Sequence, residues 1–167
     1  MEKRVAGGDR PAGGGAMDEL IRLFNENGIR YLVFGGQAVR LEGMPRFSMD
    51  CDLFVPSKDT GNMKRINELL ADELDMPLVP IGSKGENLIQ TYQTRWGIIQ
   101  FHLAVAGISS FDEAEQHSVV HADENGVGVR CFSLADLLAS KEAVARPQDL
   151  VDIEFLKIKQ QAGAGNR

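Results

Sequence analysis

Apolar and polar residues alternate along the central part of the chain. Between positions 47 and 55 every second residue is apolar, and three of the intervening positions carry Ser48, Asp50 and Asp52. A period of two is typical of a strand with one buried face, and Pro56 is expected to end that strand. The apolar face is expected to lie in the core and comprises Phe47, Met49, Cys51, Leu53 and Val55.

A second segment, 97–105, repeats this alternation and places Gln100 and His102 on its polar side. The preceding segment, 88–94, is expected to pair with it through a hairpin turn at 95–97. Two strands that each have one apolar and one polar face favour a sheet covered by helices on one side only. The polar face of that sheet would then be open to a ligand.

Helical periodicity and capping residues predict most of the other elements. Ser110 with Glu113, and Ser133 with Asp136, have the spacing of a capping box, which opens a helix. The expected helices cover about 17–27, 37–42, 59–74 and 110–118, then 134–141 and a last one from 147. The expected additional strands are a short buried one at 31–34 and a small hairpin over 119–132.

These elements predict one α+β domain over residues 17–160, with a two-layer mixed sheet and a C-terminal helical segment. A chain of 167 residues with 43% hydrophobic content is large enough to bury one core. Residues 1–16 are rich in glycine and charge and are expected to form a flexible tail, and 161–167 are expected to fray.

The charge balance narrows the classes of partner. The net charge is −6, which argues against a broad nucleic-acid-binding surface. No apolar run approaches the roughly 20 residues that span a bilayer, and the N-terminus lacks the apolar core of a signal peptide. We therefore expect no membrane association and a cytoplasmic location. Cys51 and Cys131 are expected to be reduced, and a disulfide between them is the alternative.

Two short motifs carry candidate chemistry. Asp50 and Asp52 are two apart on a strand, so both side chains should project from the same face. Two neighbouring anions repel, and a divalent cation would compensate them, although a solvated strand face is the alternative. Gly35 and Gly36 follow an apolar strand and favour either a tight strand–helix turn or a loop that approaches phosphates closely.

The order of these motifs resembles the nucleotidyltransferase fold of the DNA polymerase beta-like superfamily. Gly35-Gly36 matches the family's glycine pair, and Asp50-Cys51-Asp52 matches its carboxylate-x-carboxylate strand. Arg46-x-Ser48 is similar to a bacterial branch that contains minimal nucleotidyltransferases and the toxin halves of abortive-infection pairs. The segment 133–152 is similar to the same branch, whose members carry a lysine helix followed by Arg-x-x-Asp.

The resemblance implies transfer of a nucleoside monophosphate from an NTP with release of pyrophosphate. It implies that Asp50 and Asp52 bind Mg²⁺ or Mn²⁺. It also implies that the phosphates are met by Gly35, Gly36, Arg46, Ser48 and Lys141. The acceptor stays open between a small molecule, a protein hydroxyl and an RNA end, and a protein partner or homo-oligomer is possible.

One position departs from the family pattern. Active members carry a third acid within an apolar–acid–apolar strand segment, and the matching segment here is Phe101-His102-Leu103. His102 could act as a general base in catalysis. It could equally indicate a catalytically degenerate binding or regulatory module, and the toxin-like role is a further alternative.

Overall fold

The computed structural model describes residues 15–165, so most of the predicted tail over 1–16 lies outside the described residues. The helices are α1 (Gly15–Glu26), α2 (Gly35–Leu41), α3 (Thr60–Leu69), α4 (Phe111–His117), α5 (Leu134–Val144) and α6 (Leu150–Gly165), and a 3₁₀ turn at Pro147–Asp149 precedes α6. The strands are β1 (Leu32–Phe34), β2 (Asp50–Phe54), β3 (Ile89–Thr94), β4 (Gly97–His102), β5 (Val119–Ala122) and β6 (Gly128–Cys131).

The described strands form one mixed sheet in the order β3-β4-β2-β1-β6-β5. β2 is parallel to β4 and antiparallel to β1, while β1 is parallel to β6. The antiparallel hairpins β3–β4 and β5–β6 lie at the two edges of the sheet. This arrangement confirms the predicted α+β class with a mixed sheet.

The apolar face of β2 and β4 lies in the core, as the alternation predicted. Leu53, Ile99 and Phe101 are fully buried there. Cys51 and Cys131 are buried free thiols. Burial raises the pKa of both, that of Cys131 to about 12, so both groups stay neutral and unreactive.

The start of the predicted strand over 47–55 is wrong. β2 begins at Asp50, and Phe47 and Met49 are 77% and 68% exposed instead of lying in the core. The reason is that the β2–β4 pairing begins at Asp50, which leaves residues 47–49 without a ladder. The preceding loop packs on α2 instead, where Gln37 Nε2 donates a hydrogen bond to the Ser48 carbonyl oxygen at 3.0 Å.

Two other ends differ from the prediction. β4 ends at His102 rather than at Val105, and the chain then forms a loop. α6 continues to Gly165, although fraying was expected from Gln161. None of the helices between residues 15 and 165 combines the length and apolar character needed to cross a bilayer.

Candidate active site

A cleft of about 660 Å³ lies over the polar face of β2 and β4. The β1–α2 turn and the loop before β2 form one wall, and α5 and the start of α6 form the opposite wall. This cleft brings together all the residues singled out from the sequence: Gly35, Gly36, Arg46, Ser48, Asp50, Asp52, His102 and Lys141.

Close packing requires the glycine pair. Gly35 has φ +67°, and a Cβ there would lie 3.1 Å from Asp52 Cγ and would overlap its Oδ2. A Cβ at Gly36 would lie 2.7 Å from Ser48 Oγ. The turn therefore brings the Asp52 carboxylate and the Ser48 hydroxyl against its backbone, which a larger residue would prevent.

The two aspartates of β2 share the cleft face but have different surroundings. His102 Nε2 donates a hydrogen bond to Asp52 Oδ1 at 2.9 Å. The His102 ring is itself held edge-on against Phe34, with ring centroids 4.6 Å apart. Within residues 15–165, Asp50 has no hydrogen-bond or ion-pair partner for its carboxylate. Asp52 is thus oriented by the neighbouring strand, whereas Asp50 is open to a ligand.

Two buried carboxylates hold the cations of the cleft, including Arg46 of the loop before β2. Asp152 pairs with Arg46 and, at 3.1 Å, with Lys141 Nζ. Asp149 accepts from Lys141 Nζ and from Arg146 Nε, each at 3.0 Å. The side chains of Asp149 and Asp152 are only 2% and 3% exposed. The positions of the cations are therefore set before any ligand arrives.

Asp152 is a site residue that the sequence reasoning did not identify. Its spacing of three from Asp149 was the available signal, because residues three apart share one helix face. The pairing with Arg46 joins residues 106 positions apart and could not be read from spacing.

The pKa of Asp149 reflects two opposing effects. Burial raises it, but hydrogen bonds from Arg146 and Lys141 outweigh that effect and lower it to about 2. Because the folded pKa lies below the ordinary value of 3.8, ionised Asp149 stabilises the fold at neutral pH.

This stabilisation should be fully present above about pH 4 and be lost as the pH falls towards 2, for a total of about 2 kcal/mol. Urea unfolding of the wild type and of Asp149→Asn tests it. The difference in unfolding free energy between the two proteins should shrink from about pH 5 to about pH 2. A difference independent of pH would show that ionisation of Asp149 does not contribute.

The donor set fits one hard cation. Asp50 and Asp52 offer carboxylate oxygens on one face, and Mg²⁺ commonly binds one or two carboxylates together with substrate phosphates and water. The described residues contain no group of three or more potential ligands that could enclose a metal without such phosphates. His102 Nε2 is already hydrogen-bonded to Asp52. Because a histidine stands in place of the third acid, these side chains do not offer the three carboxylates of a two-metal site.

No protein-family model matches the sequence, and no curated protein sequence matches it. Several solved structures resemble the fold. One is a protein of Thermotoga maritima assigned to the nucleotidyltransferases, with a TM-score of 0.59 and 10% identity over 87% of this chain and 91% of that one.

Two proteins whose names refer to antibiotics also resemble it. The lincosamide antibiotic adenylyltransferase LnuA, solved with lincomycin bound, has a TM-score of 0.55 and 17% identity over 85% of this chain and 94% of that one. The antibiotic-resistance factor ANT(2'')-Ia has a TM-score of 0.53 and 17% identity, and 90% of each chain is covered. At these identities the likeness establishes the architecture alone: the chain has the nucleotidyltransferase fold.

Proposed function

We propose that the protein transfers a nucleoside monophosphate from an NTP to an acceptor hydroxyl. The supporting observation is that the two strand aspartates, the glycine turn and the paired cations converge on one cleft. The acceptor oxygen would form a bond to the α-phosphorus while the bond to the bridging oxygen breaks. Pyrophosphate would leave with that electron pair, and the acceptor proton would pass to solvent.

The charges of the cleft favour a nucleotide that arrives with a divalent cation. Four carboxylates, of Asp50, Asp52, Asp149 and Asp152, face three cationic side chains, those of Arg46, Lys141 and Arg146. One excess negative charge would repel a free triphosphate. Mg²⁺ or Mn²⁺ held by Asp50 and Asp52 would offset the phosphate charge and polarise the α-phosphate.

The other residues of the cleft have binding and orienting roles in this proposal. Arg46 and Lys141 would contact the phosphates with the N–H groups that Asp149 and Asp152 leave available. Ser48 and the glycine turn would approach the same phosphates. His102 would keep Asp52 in the orientation that leaves its second oxygen for the cation.

Titration of a fluorescent, non-hydrolysable NTP tests the proposal. Binding should require Mn²⁺ and disappear in EDTA. Asp50→Asn and Asp52→Asn should each weaken it by at least roughly tenfold, because each removes an anionic oxygen ligand. Asp72→Asn, an exposed change outside the cleft, is the matched control. Unchanged affinity in both cleft variants would exclude the metal assignment.

A second candidate is a nucleotide-binding module without transfer. Two observations favour it: Asp50 and Asp52 provide carboxylates for one cation only, and His102 stands where active members of the family carry a third acid. With labelled NTP, Mn²⁺ and cell lysate, a module of this kind would bind nucleotide but label nothing, whereas labelling would exclude it. The toxin-like role, a protein partner and a cytoplasmic location stay predictions.

A further inference from the structure

Gln100 lies on the floor of the cleft, in β4. Its neighbours Ile99 and Phe101 are fully buried on the core side of the sheet. Because successive side chains of a strand point to opposite faces, the Gln100 amide projects into the cleft, which it lines in a half-buried position. This neutral polar side chain therefore shares a face with the carboxylates of Asp50 and Asp52.

The strand register places Gln100 beside these carboxylates. Gln100 is the direct partner of Asp52 in the parallel pairing of β2 with β4, whereas His102 is one step further along, opposite Phe54. Asp50 lies on the same face, two residues before Asp52. Since neighbouring strands are about 4.8 Å apart, the long Gln100 side chain can reach the space over both aspartates.

Hydrogen bonding leaves two side chains of the cleft floor open. Asp52 accepts from His102, as described above, and Ser48 Oγ donates to the backbone carbonyl oxygen of Asp50 at 3.2 Å. Within residues 15–165, by contrast, neither the Asp50 carboxylate nor the Gln100 amide has a hydrogen-bond partner. Both groups are therefore available to the same ligand.

The charge of the floor favours a neutral third oxygen. Amide and carboxylate oxygens are hard ligands of the kind that Mg²⁺ and Mn²⁺ prefer. Asp50 and Asp52 together carry a charge of −2, which one divalent cation cancels. An amide oxygen adds a ligand without adding to the negative charge of the cleft. Three oxygens on one face do not enclose a cation, so water and the phosphates would complete its shell.

His102 is not available for this role in the arrangement that the structure shows. Its Nε2 is engaged with Asp52 Oδ1, and its ring packs edge-on against Phe34. An imidazole nitrogen is also a poorer ligand for Mg²⁺ than an oxygen. The other polar side chain that β4 contributes to the cleft is that of Gln100.

We infer that the side-chain oxygen of Gln100 is a third ligand of the cation held by Asp50 and Asp52. This inference rests on the function proposed above and adds a ligand outside the two-aspartate motif. The site then binds a single divalent cation with two anionic oxygens and one neutral oxygen. The amide NH₂ group of Gln100 remains for water or for a phosphate oxygen.

Binding of Mn²⁺ to the full chain, followed through the EPR signal of the unbound ion, tests this inference without any reaction. The wild type should bind one Mn²⁺ per chain. Gln100→Met keeps a similar length and removes the oxygen, so the Kd should rise about tenfold. Gln100→Glu replaces a neutral oxygen by an anionic one, so the Kd should fall at least roughly tenfold. Urea unfolding checks that both variants are folded.

Gln93→Glu is the matched control for charge alone. Gln93 is exposed on β3 outside the cleft, and it pairs with Ile98, the partner of Asp50. The added charge therefore lies two strand spacings, about 10 Å, from Asp50. At that distance and at physiological salt it should lower the Kd by less than about threefold. Equal effects of Gln93→Glu and Gln100→Glu would overturn the inference, because charge alone would explain both.

Three other results would also overturn it. One is an unchanged Kd for Mn²⁺ in Gln100→Met, and another is a wild type that binds no Mn²⁺. The third is a Gln100→Glu variant that binds nucleotide more weakly but Mn²⁺ no more tightly than Gln93→Glu does. That result would assign Gln100 a hydrogen bond to the nucleotide instead of a bond to the cation.

These outcomes are separable from failure of the proposed function. Asp50→Asn and Asp52→Asn are measured in the same Mn²⁺ titration and in the nucleotide titration. If they weaken binding and the Gln100 variants do not alter it, only the assignment of Gln100 is wrong. If neither aspartate variant alters the binding of Mn²⁺ or of the nucleotide, the proposed function is wrong and the inference falls with it.

Discussion

Replacing Gly35 by alanine is expected to destabilise the fold by about 3 kcal/mol and to abolish nucleotide binding. A left-handed backbone costs an L-residue roughly 1–2 kcal/mol, and forcing an extra carbon into a packed site costs about as much again. The new Cβ would overlap Asp52 Oδ2 and push the carboxylate away from the turn. Urea unfolding and the nucleotide titration measure the two effects.

Gly28→Ala is the matched control for Gly35→Ala. Gly28 has a similar φ of +62°, but a Cβ there would meet nothing within 4 Å. This variant should lose only the backbone contribution, roughly 1–2 kcal/mol, and should bind nucleotide normally. If the two variants lose the same stability and both still bind, close packing of Asp52 against the turn is not needed.

Replacing Asp152 by alanine should cost about 3 kcal/mol of stability, because removing one partner of a buried ion pair leaves charges uncompensated. Lys141 would keep Asp149, while Arg46 would lose its only carboxylate among the described residues. Nucleotide affinity should fall as well, since Arg46 would lose its fixed position and Lys141 one of its two partners. Urea unfolding and the nucleotide titration again provide the measurements.

Two further variants serve as controls for Asp152→Ala. Asp152→Asn keeps the size of the side chain and removes its charge, so it separates the electrostatic loss from a cavity. Glu142→Ala removes the half-exposed pair between Glu142 and Lys157, with N and O 3.7 Å apart, and should cost less than about 1 kcal/mol. A loss at Asp152 no greater than that at Glu142 would contradict the proposed role of the buried pair.

The sequence predicted those parts of the site that depend on local periodicity. Asp50 and Asp52 share a face because a strand repeats every two residues. The same repeat placed His102 on the polar side of β4. The contact between His102 and Asp52, however, depends on the register of two strands distant in sequence, which periodicity alone does not determine.

The features that the sequence did not predict depend on contacts between distant parts of the chain. The alternation continues back to Phe47, but a strand ends where its partner ends, so Phe47 and Met49 leave the sheet and line the cleft. Asp152 acquires its role only when α6 brings it to Arg46. In both places the deciding contacts are made by residues far apart along the chain.

The central claim is that the cleft binds a nucleotide together with a divalent cation, and Mn²⁺ as a paramagnetic probe in ¹⁵N NMR tests it most directly. With a non-hydrolysable NTP present, Mn²⁺ should first broaden the amide signals of Gly35, Gly36 and 50–52, relative to a Mg²⁺ reference. Signals around a separate depression on α3, which is lined by Met63 and Leu78, should stay sharp. Broadening centred on α3 would contradict the claim. So would the absence of any broadening beyond the uniform effect of unbound Mn²⁺.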